Sequence, residues 1–170
     1  MIYDGNSRPF SSLDSYNVAI CRPPAFAGAT TNDRGDSGGT GTPYTLFTVT
    51  GDVIVRFWGV CSTDLAGATA TIEVGVTGNT ATLLPLTTAT DIDASDIWAD
   101  TTPTLGATLL ADVLGPYLIA NGNDIIETVK TADITSGNVY YIALWRPVSI
   151  GSNAAGVSIA GSVVAAGTQT

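Results

Sequence analysis

Histidine is absent from this 170-residue chain, lysine occurs once (Lys130) and glutamate twice (Glu73 and Glu127). Without histidine, the usual general base for a serine or cysteine nucleophile is missing. Zinc is poorly served for the same reason, with only Cys21 and Cys61, well separated in sequence, to offer. The scarcity of Glu and Lys removes the residues that normally face solvent on amphipathic helices, so long helices are not expected. Positive charge is thin: Arg8, Arg22, Arg34, Arg56 and Arg146 are scattered through a chain of net charge −9 and pI near 4.1. An electrostatic grip on DNA or RNA needs clustered Lys and Arg, and a polybasic membrane attachment needs the same, so neither partner is expected. No apolar run approaches the roughly 20 residues of a spanning helix. The opening MIYDGNSRPFSS lacks a charged segment followed by an apolar one, and the expectation is synthesis in a cytoplasm with free thiols.

What remains is 45% hydrophobic and only 12% charged, which supplies one core beneath a neutral surface of Thr, Ser, Asn and Gly. The stretch Tyr44–Val76 carries most of the pattern. Phe47 and Val49 alternate with Leu46, Thr48 and Thr50; Val53–Trp58 continues after the turn Gly51-Asp52; Ala70, Ile72, Val74 and Val76 alternate with Thr69, Thr71, Glu73 and Gly75. A two-residue period of this kind predicts strands with one buried face, leaving Glu73 and Glu127 exposed. Pro85 marks residues 81–86 as an edge strand. Residues 88–116 read as a long connection with one or two short strands, a helical turn near 94–98, and Ile97 and Trp98 plugging the core. Trp58 and Trp145 are expected as core anchors too. Asn121-Gly122 is a tight-turn signal, and Val139–Arg146 forms a strand ended by Pro147.

Flanking this domain, residues 1–43 carry prolines and single aromatic residues on an otherwise polar, Gly-rich background. They read as an extended N-terminal arm whose candidate assembly contacts are Tyr3, Phe10, Tyr16, Pro23, Pro24 and Phe26. Residues 151–170 read as a Gly/Ala/Ser-rich C-terminal tail that adds a flat strand or lies along a neighbour. The predicted architecture is all-β: an antiparallel β-sandwich or jelly-roll-like domain over residues 44–150 with these two extensions.

Three motifs invite a function. Gly35–Gly39 spells GDSGG, the string around a serine-protease nucleophile, but no histidine can activate Ser37, so a glycine-rich loop is the reading. Arg34-Gly35-Asp36 spells RGD, a cell-adhesion tripeptide short enough to arise by chance. Asp91, Asp93, Asp96 and Asp100 form an acidic cluster without the spacing of a calcium loop, and turn and cap roles account for them. No catalytic residue, metal ligand or cofactor is assigned.

The segments Phe47–Arg56 with Gly59-Val60-Cys61, Ile72–Val76, Asn121–Val129 and Leu144–Pro147 together resemble small uncharacterised virion structural proteins of tailed bacteriophages. The resemblance covers residues 44–148 and implies a non-enzymatic component of a phage particle. The preferred expectation is a capsid decoration (cement) protein on the outer surface of the head. It would contact the major capsid protein and neighbouring copies of itself, as a homo-trimer. Two other expectations stand beside it. One is a tail- or fibre-associated structural or receptor-binding module. The other is a small β-sandwich glycoside hydrolase, which requires Glu73 and Glu127 to converge in a pocket.

Overall fold

The computed structural model describes residues 16–28, 33–38, 42–107, 115–148 and 162–165. Eleven strands occur among them: β1 (Asn17–Cys21), β2 (Tyr44–Thr50), β3 (Val53–Ala66), β4 (Thr71–Val76), β5 (Asn79–Thr88), β6 (Asp96–Trp98), β7 (Thr104–Leu105), β8 (Tyr117–Ile119), β9 (Ile125–Lys130), β10 (Ser136–Pro147) and β11 (Ser162–Ala165). They form two antiparallel sheets. One runs β1-β10-β3-β6-β7, with β8 also paired to β3; the other runs β11-β2-β9-β4-β5. This is the β-sandwich that the alternation predicts, and its interior lies between the two sheets.

The core follows from the two-residue period. Along β3, Val53, Val55, Phe57 and Cys61 turn inward, and along β10 Val139, Tyr141 and Ala143 meet them. Phe57 stacks on Tyr141 with ring centroids 5.6 Å apart, and Phe47 of the opposite sheet meets Phe57 edge-on at 5.9 Å. Trp98 is fully buried, and its indole N–H donates to Thr87 Oγ1 of the facing sheet at 3.1 Å. Pro85 does sit on an edge strand, β5.

Several expectations need correction. Leu46 and Phe47 are both buried because a register shift between Thr45 and Phe47 interrupts the alternation. On β4, Glu73 and Gly75 are buried along with Ile72 and Val74. The start of β5 folds over this strand so closely that a Cβ on Gly75 would lie 2.1 Å from the Asn79 carbonyl oxygen. The short helical turn falls at Ala89–Asp91, whereas Asp96–Trp98 is a strand. Ile97 and Trp58 stand half-buried on the outside of the six-stranded sheet, and Trp145 packs against the core from its margin.

The largest correction concerns the arm. Its expected boundary at residue 43 cuts through the sandwich: Asn17–Cys21 pairs with Tyr141–Trp145 as the edge of the six-stranded sheet, and Cys21 and Phe26 belong to the core. Residues 26–28 and 33–36 are stitched to the start of β10 and the turn before it. Phe26 N–H donates to the Gly137 carbonyl, Gly28 N–H to Ile134, and Ile134 N–H to Gly35. Polar, proline-rich composition hid this because the segment makes its hydrogen bonds through backbone and one arginine, with few apolar residues of its own. In the tail, Ser162–Ala165 adds a strand beside β2.

Candidate functional site

The Gly-rich loop delivers Arg34 into the interior, where it is 4% exposed. Its Nε and Nη2 grip the Glu127 carboxylate at 2.9 and 2.6 Å in the bidentate geometry that suits a guanidinium. Nη1 donates to the Pro24 carbonyl and, at 3.0 Å, to Asn138 Oδ1, while Nη2 also reaches the Val139 carbonyl at 3.3 Å. All five guanidinium hydrogens thus have acceptors. The Phe26 ring lies 3.7 Å from the guanidinium carbon and closes the site. Tyr141, from the other sheet, donates its hydroxyl to Glu127 Oε2. Arg34, Glu127 and Tyr141 therefore bridge the loop and both sheets in one buried network. Burial pushes the Tyr141 hydroxyl well above its ordinary range, and the Glu127 carboxylate beside it acts in the same direction. Burial, the largest single influence, would lower the Arg34 guanidinium; the charge and hydrogen bonds of Glu127, together with Tyr141, outweigh it and raise it instead.

This geometry decides the motifs. Arg34 is turned inward, so Arg34-Gly35-Asp36 does not present its arginine at the surface. Gly35 has φ +107°, and a Cβ there would lie 2.3 Å from the Ile134 carbonyl oxygen, which is why the loop needs glycine at that point. Ser37 donates from Oγ and from its backbone N–H to Asp133 Oδ1, at 2.7 and 2.8 Å. It caps a turn, with no nitrogen base against it.

Glu73 and Glu127 lie on adjacent strands but not on one face. Val74 is the register partner of Glu127, and Glu73 that of Thr128, so the two carboxylates point to opposite sides of the five-stranded sheet. Glu73 accepts from Thr80 Oγ1 and pairs with Lys130 Nζ at 2.6 Å. The pocket with paired acids that a hydrolase requires does not form from these residues. Among the aspartates, the Asp96 carboxylate accepts from Asp93 N–H and that of Asp100 from Thr102 N–H, both capping their own loop. Among the described residues no group of three or more His, Cys, Asp or Glu side chains is placed to hold a metal ion. Cys21 and Cys61 are free, and burial raises both thiols to about 11. They stand two strands apart and two residues out of register, Cys21 opposite Tyr141 and Cys61 opposite Val139, roughly 12 Å and beyond disulfide reach.

Of the expected assembly contacts, Tyr3 and Phe10 lie outside the described residues. Phe26 and Pro23 are buried within their own chain, Pro24 is exposed and gives its carbonyl to Arg34, and Tyr16 sits beneath Arg146 at 5.4 Å. Of the two described aromatic contacts, Tyr16 faces outward, onto a surface that sequence reading overlooked.

That surface is the outer face of the six-stranded sheet. Across its middle, Ile20, Ile142 and Trp58 are register partners in one row, and Val18, Leu144 and Arg56 in the next. Above them lies the row Tyr140, Val60 and Ile97, with Arg22 beside Tyr140 at 5.5 Å. Below lies Arg146, Ile54 and Leu118, with Tyr16 beside Arg146. Val18 is 60% exposed and Leu118 71%. No Asp or Glu occupies these four rows, although the chain has 15 acidic residues. Aliphatic side chains with Trp, Tyr and Arg, and without Lys, Asp or Glu, make the composition of a protein–protein interface core.

Compared with known proteins, the chain matches no family model, no curated protein and no solved structure.

Proposed function

We propose that this is a non-enzymatic virion structural protein of a tailed bacteriophage that decorates and reinforces the capsid. The observation that carries the reading is the outer face of the six-stranded sheet: a broad apolar surface set with arginines and aromatics. Such a face is unfavourable in water and is stabilised only by contact with protein. The strand-and-turn segments that resemble phage virion proteins fall in the same sandwich. Residues 1–15, with Tyr3 and Phe10, are then the segment assigned to the major capsid protein, since Phe26 and Pro23 are engaged within the fold. The acidic remainder of the surface keeps a protein of net charge −9 soluble at high copy number.

The test is to mix purified protein with capsids that lack it and to count the copies bound. Saturable binding of hundreds of copies to heads, with improved resistance to heat, is the expected result. Binding confined to tails or to host cells would replace this reading with the tail-associated one.

A further inference from the structure

We infer that the outer face of the six-stranded sheet is covered by the same face of a second copy, related by a two-fold axis perpendicular to the strands. The inference rests on reading this face as an assembly surface, and it names the partner.

The order of residues along each strand makes this face complementary to itself. A two-fold placed between the two middle rows superposes each strand on its own reverse, so the first row meets the partner's fourth and the second meets the partner's third. On β1, Tyr16 and Val18 then face the partner's Arg22 and Ile20. On β10, Tyr140 and Ile142 face the partner's Arg146 and Leu144. On β3, Trp58 and Val60 face the partner's Arg56 and Ile54. Beyond β3, Ile97 of β6 faces the partner's Leu118 of β8, since those two strands flank β3 at opposite ends of the face.

Every arginine thereby meets an aromatic ring and every aliphatic side chain an aliphatic one. Each strand is a palindrome by class, which is the self-complementarity that an isologous contact demands. Like charges exclude the simpler alternative. With the axis along β10, Arg146 would face the partner's Arg146 in a dry contact. The chosen axis separates the like charges and gives each a π face. The intramolecular pairs Arg22–Tyr140 and Arg146–Tyr16 already hold these groups in place on either side.

Size agrees. Four strands at about 4.8 Å and seven residues at about 3.3 Å give a flat footprint of roughly 440 Å². That is over half of the ~800 Å² each partner contributes to a stable interface, before side-chain relief is counted. Aligned sheets pack at about −30°, which displaces corner residues by roughly 6 Å. The two corners on β1 are Arg22 and Tyr16, whose reach accommodates the shift, and the other two are the aliphatic Ile97 and Leu118.

Sedimentation velocity and native mass spectrometry of the full chain at micromolar concentration test the pairing. The expected result is a dimer that Ile142→Glu weakens by about 100-fold or more, because two carboxylates would be buried against aliphatic side chains. The variant should retain the far-UV spectrum of the wild type. If Ile142→Glu fails to fold, Val18→Glu at the exposed sheet edge provides the same test, opposite the partner's Ile20. A wild-type monomer would overturn the inference and leave the face to another segment or protein. A trimer, or a dimer that both substitutions leave intact, would also overturn it. None of these outcomes depends on capsid binding, so a failure of the dimer and a failure of the virion reading are distinguishable.

Discussion

The two glutamates of this chain stand one register position apart on neighbouring strands, and their surroundings are opposite in kind. Glu127 faces inward between the sheets, 1% exposed, and is held by a bidentate arginine and a tyrosine hydroxyl. Glu73 faces outward, covered by Thr80 and by a lysine whose side chain is 47% exposed. One pair is sealed from water and the other touches it. The difference shows how burial of the partner, rather than of the carboxylate alone, sets the consequence of breaking an ion pair.

The comparison is broken most severely at Arg34. Arg34→Met should destabilise the protein by about 3–5 kcal/mol, because Glu127 would remain as an uncompensated buried charge. Equilibrium denaturation in guanidinium chloride measures it, and a loss below about 1 kcal/mol would remove the claim that this pair organises the fold. Tyr141→Phe removes one hydrogen bond to a charged acceptor and should cost about 1.5–3 kcal/mol.

Alkaline pH probes the same end of the comparison. A thiol raised from 9 to about 11, as at Cys21 and Cys61, contributes stability that is complete below pH 9 and is lost as pH rises toward 11. The raised Tyr141 hydroxyl has the same sign and extends the loss beyond its ordinary value of 10. Melting temperature should therefore fall above pH 9, and the part of the fall above pH 10 should shrink in Tyr141→Phe. Melting scans across that range check both statements. The smallest effect belongs to the other glutamate. Lys130→Met should cost less than about 1 kcal/mol, since its ammonium is already hydrated. A loss approaching that of Arg34→Met would erase the distinction between the two ends.

Much of the sandwich was legible because the two-residue period survives in β3, β9 and β10, and Pro85, Gly51-Asp52 and Asn121-Gly122 mark an edge and turns where they occur. The period failed where local events overrode it: the register shift near Leu46, and the fold-back of β5 over Glu73 and Gly75. Glu127 carried a signal that went unused, for it shares the alternation of Ile125 and Val129, and that places it inside. Arg34 carried none. Its neighbours are those of a solvated loop, and its burial depends on residues about a hundred positions later. The exposed face was legible only in combination. Each of β1, β3 and β10 is apolar on both sides, which a single strand cannot distinguish from central burial; pairing into rows reveals an outer face.

The attachment of β1 to β10 has a consequence for synthesis. Cys21 waits for Tyr141, Phe26 for Gly137, and Arg34 for Glu127 and Asn138. β1 and the Arg34 loop are therefore made well before their partners and are among the last segments to find their place. Partners so distant in sequence impose a slow final step. Until β10 emerges, Val18 and Ile20 have no strand to pair with, and the Arg34 guanidinium lacks its Asn138 and Val139 acceptors. A chain stopped before residue 136 would lack both sets of contacts. Completion of the fold and creation of the outer face are then one event, so that only a finished subunit carries the face proposed for pairing.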